Sequence, residues 1–365
     1  MVKVLHFVSK MDRAGQETFL MNVFRNINKD KVQFGFLCTL NTPGDYDKEI
    51  NDLGGELHYE PIKKAGHFKI IKNQFILIKT LRTLVSKYQI FEIHTQHAMD
   101  AVLSAIAAKI AGFHTVIIHS HNSSSLYHPK LHLIFKHFLR LLNVQRFACS
   151  NSAGKWMFGN SSFLIIKNGI NLNDFIFSQN LRKKVREEMK WQGKTVIGHI
   201  GRFNSQKNQE FLIKIFNKYY LQNKNARLIL IGAGENEDKI KKQVEKLNLQ
   251  KQVSFLGIRT DVGDLYQGMD AFVFPSLFEG LPVVLVEAQA ASLPCLVSDS
   301  VTNEIKITNK IIFKELNASS DEWANALKST LSSFQTRINE TDNINKAGYN
   351  IKKVSKKLES LYLSY

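Results

Sequence analysis

Ala271-Phe272-Val273-Phe274-Pro275-Ser276, followed two residues later by Glu279-Gly280-Leu281-Pro282-Val283-Val284-Leu285-Val286-Glu287, is the stretch that decides the fold. An apolar run of buried-strand character stops at a proline, a Gly/Pro turn follows, and a helix begins. This is the strand–turn–helix unit of an open α/β sheet, which binds ligands outside the carboxyl ends of its strands. Glu279 falls on the turn and Glu287 lies in the helix about two turns on, so both carboxylates can face one cleft. The backbone N–H groups between Gly280 and Val283 are placed to meet a phosphate. Two carboxylates beside an anion-binding helix start suit a polyhydroxylated, phosphorylated ligand, and nucleotide sugars are the obvious class. Alone, the same residues also describe a capped helix with two ordinary glutamates.

A second group lies upstream, in Ile197-Gly198-His199-Ile200-Gly201-Arg202-Phe203-Asn204-Ser205-Gln206-Lys207-Asn208. An apolar strand reaches Gly201, a helix starts near Asn208, and Arg202 and Lys207 stand in the loop between. Arginine offers phosphate oxygens a planar fork and lysine a mobile point charge. Beside a second anion site the pair reads as a pyrophosphate clamp; in isolation both would be solvated loop cations.

Together, Gly-Arg-Phe-x-x-Gln-Lys-Asn (201–208) and Glu-Gly-Leu-Pro-x-Val-Leu-Val-Glu (279–287) resemble the retaining GT-B glycosyltransferases of family 4, many of which build bacterial capsular, exopolysaccharide or lipopolysaccharide glycans. The resemblance runs nearly the whole chain. Met11-Asp12-Arg13-Ala14-Gly15-Gln16-Glu17 is similar to the family's first Gly-rich loop, with Ala14 where Gly is usual. It implies two doubly wound Rossmann-like domains facing across a cleft. Residues 1–170 would bind the acceptor, 171–345 the nucleotide sugar, and a helix over 346–365 would cross back onto the first domain. It also implies that the backbone at Ile258 and Arg259 reads the base, most often uracil, and that Gly15 approaches a phosphate or the acceptor. His121, just past the strand 115–120, would meet the donor sugar. His119 shares that face of the strand, and on the residues alone it reads as a packed core histidine. The resemblance gives a reaction that retains anomeric configuration, without cofactor or metal, in which no general base is named. It leaves sugar, acceptor and linkage open.

Length and composition agree with two domains, each able to bury a core. The chain has 365 residues, 44% hydrophobic, with 20 Gly and 6 Pro. Cys38, Cys149 and Cys295 are scattered and form no Cys-x-x-Cys pair, so they read as buried thiols in a reducing compartment. Residues 2–8 read as a strand rather than a signal peptide, and no apolar stretch reaches the roughly 18 residues of a spanning helix. A cytoplasmic protein is expected.

The formal charge of +17 is uneven. Residues 61–169 hold 14 Lys and Arg against only Glu92 and Asp100, or +12. Two basic amphipathic helices are predicted there, over 69–82 and 130–146. They suit an anionic membrane surface as well as a core-packing helix with a basic rim. A peripheral enzyme on the inner face of the membrane, acting on a lipid-linked glycan, is the expectation. Nucleic acid is not an expected partner, since no helix-turn-helix, zinc spacing or aromatic RNA-binding signature accompanies the charge.

Strands are predicted at 2–9, 33–40, 56–59, 90–95, 115–120 and 146–150. A second series follows at 195–201, 226–232, 253–257, 270–275 and 294–298, with a linker and helix start over 173–186 and a helical tail over 345–363. Asp45-Tyr46-Asp47 matches the Asp-x-Asp of metal-dependent transferases, but after Pro43-Gly44 it reads more simply as a turn with acids at a helix start. Three other functions stay open: a GT-B epimerase turning over the nucleotide sugar alone, a dinucleotide oxidoreductase, and a membrane scaffold. The oxidoreductase lacks Gly-x-Gly-x-x-Gly after the first strand, and the scaffold would not need Arg202, Lys207, Glu279 and Glu287.

Overall fold

The computed structural model describes residues 1–60, 67–124 and 129–365; residues 61–66 and 125–128 of the basic segment lie outside these. The chain divides into two compact units, Met1–Gly169 with Ile351–Tyr365, and Ile170–Asn350.

The first unit holds β1 (Val2–Val8), β2 (Val32–Cys38), β3 (Glu56–Tyr59), β4 (Ile90–Thr95), β5 (Thr115–Ser120), β6 (Gln145–Ala148) and β7 (Leu164–Ile165). Their order is β3-β2-β1-β4-β5-β6-β7, every pair parallel. The second holds β8 (Thr195–Ile200), β9 (Ala226–Ile231), β10 (Val253–Phe255), β11 (Ala271–Phe274), β12 (Cys295–Ser298) and β13 (Ile311–Lys314), in the order β10-β9-β8-β11-β12-β13, again all parallel. Parallel strands are covered on both faces by their crossover helices, so they read as near-continuous apolar runs. Phe272, Val273 and Phe274 are fully buried for that reason. In each sheet the order reverses beside the first strand, β1 against β4 and β8 against β11. That is where a doubly wound sheet opens a crevice at its carboxyl ends.

Four segments differ from the sequence reading. The helix expected over 130–146 spans Pro129–Leu139. The Arg146 guanidinium donates to the carbonyls of Leu139 and Leu142, 3.0 Å each, and so caps the helix end while β6 begins. The tail is two helices, Thr341–Lys346 and Ile351–Ser364, because the chain turns at Gly348 with φ of 87°. Here Ile170 N–H donates to the Tyr349 carbonyl at 2.8 Å. The returning helix therefore starts at Ile351, not 346. It packs on the helix Gly15–Asn26, with Ile351, Val354, Leu358 and Tyr362 in the core of the first unit. The edge strands β7 and β13 were not foreseen; β7 has two residues, and β13 has four of which only Ile311 is buried.

Candidate functional site

In the second unit the two loops that carry the sequence motifs are built by strand ends. After β8 the chain runs through Gly201 and Arg202 into a 3₁₀ turn, Ser205–Lys207, whose entry Asn204 accepts the Lys207 N–H through its side chain at 3.1 Å. Asn208, with φ of 54°, redirects the chain into the helix Gln209–Gln222. This loop is tied to the one after β11. Leu277 N–H donates to the Gln206 carbonyl at 2.8 Å, Gln206 Nε2 to the Phe278 carbonyl at 2.9 Å, and Asn208 Nδ2 to the Pro275 carbonyl at 3.1 Å. The two sequence motifs are thus one structural object, held by hydrogen bonds that leave Arg202, Lys207 and Glu279 to other partners.

Lys207 Nζ donates to Glu279 Oε1 at 2.6 Å and lies 4.9 Å from the centre of the Phe274 ring. The pair is largely enclosed, with 16% and 8% of the side chains exposed. The mutual attraction offsets part of the desolvation of the two charges. Arg202 is more exposed and reaches Glu235 at 3.3 Å, a surface pair that a phosphate can displace at little cost. Gly280, Leu281 and Pro282 lead into the helix Val283–Ala290, where Glu287 stands just beyond the first turn. Burial pushes the Glu287 acid up to about 7; a bond from Tyr266 works against that, and the charge of Asp174 adds to it. The Tyr266 hydroxyl lies 3.0 Å from the Val284 carbonyl and 3.1 Å from Glu287 Oε2. A phenol has one proton for these two acceptors. A protonated Glu287 resolves the conflict by donating to Tyr266, while Tyr266 donates to Val284.

The small-residue turn after β9 has a packing reason. A Cβ on Gly232, at φ 129°, would sit 2.2 Å from the Gly201 carbonyl, and one on Gly234 2.4 Å from that of Phe203. Ile258 and Arg259 follow β10 on the same end of the sheet; Ile258 is exposed, and Arg259 is paired with Asp261 through Nε at 2.8 Å.

In the first unit Gly15 opens the helix Gly15–Asn26, and a Cβ there would meet nothing within 4 Å. One turn on, the Phe19 ring lies 5.7 Å from that of His121, so the loop after β1 and the residue after β5 share one end of the sheet. His119 is fully buried, as a core histidine should be, with its ring stacked 4.2 Å from that of His121. Both acids of Asp45-Tyr46-Asp47 hold loop backbone N–H groups. Asp47 Oδ2 accepts the Gly44 N–H at 2.8 Å and Asp45 Oδ2 the Arg13 N–H at 3.0 Å.

The sequence reading missed a polar network inside this sheet: His6, Glu92, His94, His119, His121 and Tyr362. Its signal was present, since Glu92 is an acid in the middle of the buried strand β4, two residues before His94. Two sets here, His94 with His119 and His121, and His6 with Glu92 and His94, each bring one ligand atom per residue within 4.8 Å of the others. Hydrogen bonds of 2.9 and 3.1 Å already join His94 to His121 and to His6. A metal in the first set would compete with the His94–His121 bond and one in the second with the His6–His94 bond.

Residues 181–350 match the family described as glycosyl transferases group 1, and residues 11–151 the glycosyl transferase 4-like family. The chain is 36% identical over 318 residues to the glycosyltransferase EpsF of Bacillus subtilis, covering 83% of this chain and 80% of that protein. It belongs to the group 1, family 4-type glycosyltransferases and has their GT-B architecture. A second relative, 28% identical over 79% of this chain and 80% of its own, is the Escherichia coli UDP-Gal:alpha-D-GlcNAc-diphosphoundecaprenol alpha-1,3-galactosyltransferase. Among solved structures, Anabaena HepE in complex with UDP-glucose superposes with a TM-score of 0.81 at 19% identity, covering 100% of both chains.

Proposed function

We propose that this chain is a retaining, metal-independent glycosyltransferase moving a hexose or N-acetylhexosamine from a UDP-sugar to a lipid-linked oligosaccharide, in the assembly of a bacterial surface polysaccharide. The observation that carries this is the Lys207–Glu279 pair at the entry to a helix that bears Glu287. It supplies a cation for a diphosphate and two carboxylates for hydroxyls within one stitched pair of loops. The names of the E. coli relative and of the HepE complex, which include UDP-Gal, diphosphoundecaprenol and UDP-glucose, support the choice of donor and acceptor.

As the bond to the anomeric carbon breaks, the diphosphate gains negative charge. Arg202, Lys207 and the helix-start backbone at Gly280, Leu281 and Val283 stabilise that charge more in the transition state than before it. Glu287 accepts from the ribose hydroxyls, Glu279 from the donor sugar, the backbone at Ile258 and Arg259 reads uracil, and His121 meets the sugar or its phosphate. The leaving phosphate itself can take the acceptor proton. The two carboxylates are not a glycosidase pair, since each has a binding task. A thermal-shift panel with UDP, GDP, ADP and common UDP-sugars tests this. A ligand at about a hundred times its Kd adds about 2.7 kcal/mol to the folded state. The UDP-sugars should raise Tm in the wild type and fail to do so in Glu287→Ala. Silence from every nucleotide would remove the donor assignment.

The same reading includes an anionic membrane surface at the inner face of the cell membrane. Among the described residues no helix is long and apolar enough to cross a membrane. Neighbouring helices His67–Leu84, Ala98–Ala111 and Pro129–Leu139 nevertheless leave large apolar side chains in solvent. Ile71 is 61% and Phe75 69% exposed, and Ile110, Ile134 and Phe138 are exposed on the two helices beside them. Lys72 and Lys79 flank the Ile71–Phe75 groove. Leu77 and Leu81 already anchor the first of these helices in the core, so the outward apolar row is not needed for folding. Flotation should capture the protein on anionic but not neutral vesicles, and Ile71→Ser/Phe75→Ser should release it with the nucleotide shift intact. Failure on both vesicle types would remove the membrane partner.

A further inference from the structure

The buried histidine network defines a device that the proposed reaction does not by itself require. His6 lies beside Glu92 across the β1–β4 pairing, and His94 beside His119 across β4–β5. Residues two apart on a strand share a face, so His94 follows Glu92 and His121 follows His119 toward the end of the sheet. Glu92 anchors the set. It accepts the Tyr362 hydroxyl at 2.6 Å, from the returning helix, and the His119 Nδ1–H at 2.9 Å. Burial holds His6 down to about 4 and His94 and His121 well below the usual imidazole value, so these rings are neutral. Each therefore carries one N–H and one lone pair.

That count leaves the chain His6–His94–His121 two self-consistent settings. One proton lies between His6 Nδ1 and His94 Nε2, 3.1 Å apart, and one between His94 Nδ1 and His121 Nε2, 2.9 Å apart. In the first setting all three rings are protonated on Nδ1, and the spare N–H is His121 Nδ1. In the second all are protonated on Nε2, and the spare N–H is His6 Nε2. Both end nitrogens lack a partner. The ends are not equivalent. His6 is fully enclosed and packs on Phe34 and Phe36, ring centres 4.2 and 5.5 Å away, and its Nε2 is buried without a partner. His121 keeps partial exposure at the strand end shared with the Gly15 helix start, although its Nδ1 is covered as the ring stands. An N–H without an acceptor costs about 1–3 kcal/mol; a small turn of the partly exposed His121 ring lets water or a bound oxygen relieve it, whereas the enclosed His6 ring has no such route.

We infer that His94 is the positioning residue of His121 and that, with His6 behind it, it fixes the Nδ1–H tautomer, presenting a donor to an oxygen of the sugar or its phosphate. The identity of that ligand rests on the proposed function; the tautomer does not. The test is a long-range ¹H–¹⁵N spectrum of the ligand-free full chain labelled at histidine nitrogens, with His121 assigned through His121→Gln. His121 should be protonated on Nδ1 in the wild type. His94→Leu should shift it to Nε2, and so should His6→Leu, which acts two rings away through His94. Tyr362→Phe, which spares the chain itself, should leave it on Nδ1. Wild-type His121 protonated on Nε2, or a tautomer unmoved in both Leu variants that retain native Tm, would overturn the inference. With UDP-glucose as probe, His94→Leu should lower kcat about tenfold or more, as expected for a misplaced donor, with KM within about twofold. This kinetic arm depends on the donor assignment, so its failure beside a correct tautomer would fault the assignment rather than the chain.

Discussion

Lys207→Ala should lower turnover of the UDP-sugar about a hundred- to a thousandfold, the range for removing a preorganised charge from a developing anion. Donor affinity should fall less, because the diphosphate carries less negative charge at the reacting bond before it breaks than after. The substitution also withdraws the ammonium that Glu279 meets at 2.6 Å. Breaking a buried pair at one end typically costs 3–5 kcal/mol. With 16% of Lys207 in solvent, about 2 kcal/mol is the expected loss, and Tm should report it.

Stability and catalysis can then be separated. Lys207→Ala/Glu279→Gln removes the stranded charge and should recover most of the lost stability, yet turnover should stay low because the leaving group still lacks its cation. Urea midpoints and kcat for the wild type, both single variants and the double variant complete the cycle. Turnover within about threefold of wild type in Lys207→Ala would sink the role assigned to this residue. Recovery of turnover together with stability would make the pair a structural clamp instead.

How much of this was readable in the chain depends on the range of the interaction. The strand–turn–helix at 271–287 and the loop at 201–208 were legible because their determinants are local. An apolar run, a Gly/Pro break and a cation or acid at the strand end all lie within one short window. What the sequence could not supply is the set of bonds from Gln206, Leu277 and Asn208 that makes one object of two motifs 72 residues apart. The helix at 130–146 was overrun because the apolar pattern continues past its end, whereas Arg146 stops it by capping carbonyls. The break at 347–350 rests on one left-handed glycine and a bridging residue, Ile170, far away in sequence. The histidine network was hidden for the same reason. Each of its four histidines looks like a lone core histidine, and only the register of β1, β4 and β5, with Tyr362 arriving from the last helix, brings the six residues together.

Glu287→Gln should weaken UDP-sugar binding at pH 8 about ten- to a hundredfold and make the empty protein more stable, because the same carboxyl is costly alone and useful when occupied. Its acid is raised from the ordinary 4.5 to about 7 chiefly by burial. A carboxyl whose folded value lies above its unfolded value binds its proton more tightly in the folded state. Its contribution to stability is therefore greatest below about 4.5, falls as pH rises through the window, and is lost above about 7. The full shift corresponds to about 3 kcal/mol, and the partial exposure of the side chain reduces the expected figure to about 2. Gln cannot ionise and can still donate to Tyr266, so the variant should gain roughly that much at pH 8 and little at pH 5. Binding has the opposite sign. Ribose hydroxyls are donors that favour the carboxylate, so the ligand lowers the Glu287 value and its binding releases a proton. Affinity should tighten about tenfold from pH 6 to pH 8 as the ionised fraction of the empty site grows, and the dependence should vanish in Glu287→Gln. Calorimetry with a UDP-sugar is the appropriate measurement, since its phosphates are diesters and do not titrate in this range as the terminal phosphate of UDP does. Equal affinity at the two pH values in the wild type would mean that Glu287 does not touch the ribose. The stability gain would survive that result, since it depends only on burial and on Tyr266.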